Sequence, residues 1–82
     1  MTRAEILEKL NEIFRSELDN DSIVLQESTS AGDVEEWDSL SHIQLIVAIE
    51  KRFKMRFSSS EIQSWKNVGE MADAIEKKLA AA

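Results

Sequence analysis

An all-α fold is what this sequence predicts: a four-helix bundle of three long helices and one short one, with a long loop after the first. Three observations carry that expectation. Thr2, Ser58 and Asn67 each have a glutamate three residues later, the capping-box spacing in which two orphan amides at a helix start are satisfied reciprocally. Behind each signal the apolar residues recur at intervals of three and four, the period of one helix face. No proline interrupts any of these runs.

The first helix is expected over residues 3–18. Ile6, Leu10, Ile13, Phe14 and Leu18 make its inward face, with Leu7 beside them, and Glu8, Lys9, Glu12 and Arg15 its wet face. Residues 19–38 follow as a loop. Asp19-Asn20-Asp21-Ser22 offers side-chain acceptors that break the helix. Ile23, Val24 and Leu25 form an apolar clip, as one turn or an extended piece, that pins the loop to the core. A loop this long inside a small domain is usually functional or disordered; the clip and Trp37 argue for an ordered one that delivers the chain to Ser39.

The second long helix is expected over 39–54, starting at Ser39 or, by a rival capping-box spacing, at Ser41 and Gln44. At 100° per residue from Leu40, the residues Leu45, Ile46, Ile49 and Phe53 fall between roughly 140° and 240°, one core-facing stripe. Leu40, Ile43 and Val47 make a second stripe, and Glu50 lies between the two. A surplus apolar stripe is a docking surface unless the bundle buries both. Phe57 is expected to be buried. A short helix over 59–64 should bury Ile62 and Trp65, and a last helix over 68–80 should turn Val68, Met71, Ala72, Ile75 and Leu79 inward.

Eighty-two residues without cysteine make one domain, 1–82, with no disulfide, no thiolate metal site and no thiol nucleophile of its own. A single histidine, His42, makes a zinc site a poor expectation and leaves no base for a hydrolytic triad beyond itself. Gly32 and Gly69 stand alone, so there is no glycine-rich phosphate loop. We therefore expect no enzyme and no resident metal. The absence of a signal-peptide pattern or of a run of about 18 apolar residues points to the cytoplasm and to no membrane span. Net charge of −6 argues against nucleic acid. Its distribution is uneven: residues 1–38 hold 11 acidic against 3 basic side chains, whereas residues 39–57 hold 1 against 4, in Lys51, Arg52, Lys54 and Arg56. Basic residues near a helix C-terminus complement its dipole, which is the simplest account of them.

Ser39 is the residue whose position invites chemistry. At a helix N-terminus the outward amides and the positive dipole end favour a phosphate on its hydroxyl. Helix capping is the commoner use of serine, and spacing alone does not exclude it. His42, one turn on, could face such a phosphate but reads more simply as a half-buried helix residue.

Asp38-Ser39-Leu40, followed by Ile43, Leu45, Ala48, Ile49, Glu50 and Phe53 in the next helix, then Phe57, the short helix near 58–65 and Val68, resembles the acyl carrier protein family over nearly the whole chain. The resemblance implies that a phosphopantetheinyl transferase, working with magnesium, attaches 4'-phosphopantetheine from coenzyme A to Ser39. Asp38 would be a recognition or magnesium-proximal residue and Leu40 the last member of the motif. It implies a monomeric carrier of acyl thioesters, served by acyl-transferring, ligase or condensing enzymes that dock on Leu40, Ile43 and Val47, with Lys51 and Arg52 beyond. An acyl chain sheltered between the second and third helices would meet Ile46, Phe57, Ile62 and Trp65. Carriers of general fatty acid synthesis usually show a small pair before the motif and an acidic second helix. Here Glu36-Trp37 and Ser41, Gln44, Lys51, Arg52 and Lys54 occupy those positions, which implies a stand-alone carrier for a dedicated fatty-acid, lipid or polyketide-type pathway. An aminoacyl or peptidyl carrier and an unmodified helical interaction module are the competing readings.

Overall fold

The computed structural model describes residues 2–81, Ala81 by its backbone alone; Met1 and Ala82, the ends of the expected 1–82 domain, lie outside the described residues. Four α-helices follow in order: α1, Arg3–Glu17; α2, Ser39–Phe53; α3, Ser59–Ser64; and α4, Val68–Ala81. No strand occurs among the described residues.

The cap expected for α1 forms as the sequence spacing requires. The Glu5 amide donates to Thr2 Oγ1 at 3.2 Å, and the Thr2 amide donates to Glu5 Oε1 at 2.9 Å. Ile6, Leu10, Ile13 and Phe14 are buried along one face. The helix stops one residue short of expectation, because Leu18 is the cap and Asp19 turns into the left-handed region with φ 51°. Aspartate tolerates that conformation better than most residues, since its short polar side chain bonds locally.

The loop is ordered, and two polar side chains of α1, Asn11 and, from the expected wet face, Arg15, do much of the ordering. Asn11 Oδ1 accepts from the Leu25 amide at 2.7 Å, and Arg15 Nε donates to the Ile23 carbonyl at 2.6 Å. The apolar clip is extended. Ile23 and Leu25 are buried while Val24 between them is exposed, which is the alternation of a strand-like backbone. Further on, the Val68 and Gly69 amides donate to the Thr29 and Glu27 carbonyls, both at 2.8 Å, so the loop straps the N-terminus of α4. A Cβ on Gly69 would lie 2.9 Å from the Glu27 oxygen; glycine is what permits the approach. Arg3 fastens the same corner through Glu27, Asp73 and the Gly69 carbonyl. A 3₁₀ turn at Ala31–Asp33 then leads to buried Val34 and Trp37.

Helices α1 and α2 each contribute four buried side chains, those of α2 being Leu45, Ile46, Ile49 and Phe53. From α4 come Val68, Met71, Ala72 and Ile75, while Leu79, expected inside, is half-buried at the periphery of the core. The Asn67 cap on α4 is half of the expected box. Asn67 Oδ1 accepts from the Glu70 amide at 2.9 Å, but Glu70 Oε2 accepts from the Lys66 amide, at 3.0 Å.

The burial expected around α3 is corrected. Ser58 and Glu61 do form the capping box, yet no residue of α3 is buried, and Ile62, Trp65 and Phe57 are half-buried. A six-residue helix has too few turns to press a continuous face onto the core. The two aromatic rings instead pack edge to face on each other at 4.9 Å, with Lys78 Nζ 5.4 Å from the Phe57 centroid.

Candidate functional site

Asp38, and neither Ser39 nor Ser41 with Gln44, caps α2. Its backbone is extended (φ −119°, ψ −174°), and Oδ1 accepts from the Leu40 amide at 3.0 Å and the Ser41 amide at 2.8 Å. Ser41 Oγ returns the favour by accepting from the Asp38 amide at 2.8 Å and donates onward to the Glu36 carbonyl, also at 2.8 Å. The Ser41 amide above all, with that of Leu40, holds the Asp38 carboxyl below the ordinary carboxylate range. Two consequences follow for Ser39. It is the first helical residue, exposed, with the capping work done by its neighbours. And the amides of Leu40 and Ser41, expected to be open to a phosphate, are already taken by Asp38, leaving the helix dipole as the electrostatic contribution.

Trp37 anchors the approach to Ser39. Its ring packs edge to face on Phe14 at 4.9 Å, inside the core. Its Nε1–H donates to His42 Nδ1 at 3.0 Å, and the two rings stack at 24°. The bond requires Nδ1 to be unprotonated, so neutral His42 carries its hydrogen on Nε2. His42 is half-buried, the simpler of the two readings of that residue, and meets Trp65 edge to face at 6.5 Å. Aromatic rings thus run from Phe14 through Trp37, His42 and Trp65 to Phe57.

An open groove of about 490 Å³ lies along this row, lined by Trp37, Asp38, Ser39, His42, Ile43, Ile62 and Trp65, with Gln63, Lys66 and Asn67 among its polar wall. Of the four residues expected to shelter an acyl chain, Ile62 and Trp65 line it and Ile46 and Phe57 do not. Ile46 is buried on the inward stripe of α2, and Phe57 packs on Trp65 beside Lys78.

The second stripe of α2 is left uncovered: Leu40 is 73%, Ile43 57% and Val47 45% exposed. Lys51 and Arg52 are exposed as well, but Arg52 Nη2 is held by Glu12 of α1 at 2.9 Å. Glu50, placed by the helical wheel between the stripes and given no role, accepts the Phe57 amide on Oε2 at 2.9 Å. No group of three or more His, Asp or Glu among the described residues could hold a metal ion. No helix among them is long and apolar enough to cross a membrane.

Comparisons with known proteins converge on this geometry. Residues 8–75 match the phosphopantetheine attachment site family. The chain is 35% identical over 82 residues to the acyl carrier protein of Thermosynechococcus vestitus, covering 99% of this chain and 100% of that one. It is 32% identical over 75 residues to the acyl carrier protein of Acidothermus cellulolyticus, covering 92% and 89%. Among solved structures, the solution structure of a holo acyl carrier protein from Geobacter metallireducens superposes with a TM-score of 0.86 at 52% identity, covering 92% of this chain and 86% of that one.

Proposed function

The chain belongs to the acyl carrier protein family, and from that premise we propose that Ser39 is the residue to which its arm is attached. The protein carries acyl groups on a 4'-phosphopantetheine arm, whose thiol forms the thioesters, and it works with acyl-handling enzymes. Acyl carrier proteins are carriers and not enzymes.

The observation that supports Ser39 is the division of labour at the start of α2. Asp38 and Ser41 cap the helix, so the Ser39 hydroxyl is exposed and not committed to the cap. In the modification, Ser39 Oγ attacks the pantetheine-side phosphorus of coenzyme A. The P–O bond to the nucleotide half breaks, adenosine 3',5'-bisphosphate leaves, and the hydroxyl proton passes to a base of the transferase or to water. Ser39 and Asp38 border the groove, so the arm leaves the helix beside an aromatic wall. With no cysteine in the chain, the arm brings its only thiol.

Intact mass after incubation with coenzyme A, magnesium and a broad-specificity transferase tests the assignment. One arm should be gained by the wild type and none by Ser39→Ala. A gain that survives in that variant would move the site elsewhere. The exposed cations at the far end of α2 further support a carrier for dedicated enzymes, since charge complementarity selects partners mainly through encounter rate and the exclusion of wrong ones.

A further inference from the structure

The chain reverses direction at the end of α2, and the reversal builds a groove. Lys54 takes the left-handed conformation (φ 55°, ψ 52°), and both its amide and that of Met55 bond to the Glu50 carbonyl. The Glu50 side chain then holds the Phe57 amide, so residues 54–57 are folded back along the last turn of the helix. The result is an open groove of about 550 Å³ lined by Val47, Glu50, Lys51, Lys54, Met55 and Arg56.

Its chemistry is lopsided. Val47 and Met55 are the apolar members, and three of the other four are cations. The one carboxylate, Glu50, already has a donor in the Phe57 amide. Among the described residues, ion pairs engage Arg3, Arg52 and Lys78, and none engages Lys51, Lys54 or Arg56. In a chain of net charge −6, three such cations around an exposed valine need an account. The helix dipole supplies part of one for the last turn, but it does not explain Arg56, past the helix end, or the exposure of Val47.

Val47 is also the last member of the uncovered stripe, so the groove is continuous with the docking face. At about 1.5 Å per residue, Val47 is about 12 Å and Lys51 about 18 Å along the axis from Ser39. An interface of ordinary size, about 800 Å² per partner, spans that distance. The charge around α2 has a polarity along the chain: Glu35, Glu36 and Asp38 are exposed just before the helix, and the three cations are exposed in and after its last turn.

We propose that this groove is the second anchor of the docking face and receives an acidic element of the enzyme, two or more carboxylates flanking an apolar side chain. The carboxylates meet Lys51, Lys54 and Arg56, and the apolar group meets Val47 and Met55. A partner acidic there and basic beside the arm docks in one orientation, because the reversed one sets like charges against each other. The inference rests on the carrier reading of Ser39, which supplies the reason for an enzyme to cover α2.

Titration of the ¹⁵N-labelled protein with a short helical peptide carrying one leucine flanked by four glutamates tests it. Two matched peptides carry lysine or glutamine instead. The glutamate peptide should shift the amides of Val47, Lys51 and residues 54–56, and bind more weakly as salt rises from about 50 to 300 mM. Lys51→Glu/Lys54→Glu/Arg56→Glu should lose about tenfold or more in affinity, whereas Arg52→Gln, whose side chain is spent on Glu12, should lose none. Equal binding of the lysine or glutamine peptide, shifts elsewhere on the surface, or no binding at millimolar peptide would each overturn the proposal. The triple variant should still be modified to completion by the transferase; absence of the arm there and in the wild type would count against the Ser39 reading instead.

Discussion

Helices α1 and α2 are the same length, 15 residues, start with the same reciprocal cap and bury four side chains each. What differs is the opposite face. On α1 it is charged and polar, and the structure spends it internally: Asn11 and Arg15 hold the loop, and Glu12 holds Arg52 of α2. On α2 it carries Leu40, Ile43 and Val47, which touch nothing that covers them. One helix has turned its spare face into scaffold. The other keeps apolar surface in water, a cost to solubility that a partner would offset, and it does so in the helix that begins at Ser39.

Truncating leucines on the two faces gives the largest contrast. Leu45 is 0% exposed, so Leu45→Ala should cost about 2–5 kcal/mol, much as Leu10→Ala would on α1. Leu40→Ala at 73% exposure should stay within about 0.5 kcal/mol in denaturant melts. A comparable loss at both positions would mean that the second stripe is covered after all.

The helix ends offer a smaller contrast. Both run into a positive φ at a residue other than glycine, Asp19 after α1 and Lys54 after α2. Aspartate is at home there; lysine costs about 1 kcal/mol against glycine. Lys54→Gly should therefore raise stability by about 0.5–1 kcal/mol in urea melts, and Asp19→Gly by less. The same change should weaken the acidic peptide, separating what Lys54 does for the fold from what it does for docking.

Acid gives the smallest effect. Glu5, mainly through the Thr2 amide, and Asp38, mainly through the Ser41 amide, have carboxyls held below their ordinary range in the fold. Their contribution is complete above the ordinary carboxylate range and is lost as pH falls through it toward the depressed folded values. Melting temperature should hold from pH 7 to about 5 and then decline, and Glu5→Gln should flatten the α1 share of the decline alone.

Local rules were readable in advance and long-range closures were not. Thr2 with Glu5 and Ser58 with Glu61 cap as their spacing predicts, because a cap involves residues three apart. The inward stripe of α2 follows from helix period alone. Asp38 went unnoticed as the cap because two serines beside it satisfied the same rule. The strap from Glu27 and Thr29 to the start of α4 joins residues about 40 apart, and its one local trace, Gly69, is silent without the facing carbonyl. The acyl-sheltering set divided for a similar reason. Ile62 and Trp65 come from α3 and its cap and reach the Ser39 groove, whereas Ile46 belongs to a face already committed to the interior.

The aromatic row beside Ser39 also makes the protein its own optical probe. There is no tyrosine, so near-ultraviolet emission comes from two indoles, and both line the groove beside Ser39. Trp37 is sealed and hydrogen-bonded to an imidazole, while Trp65 is half open to water. One chromophore reports the seating of the histidine, the other whatever is laid across the groove. Loading and unloading of cargo could be followed by emission wavelength and quenching, on the unlabelled protein and in real time.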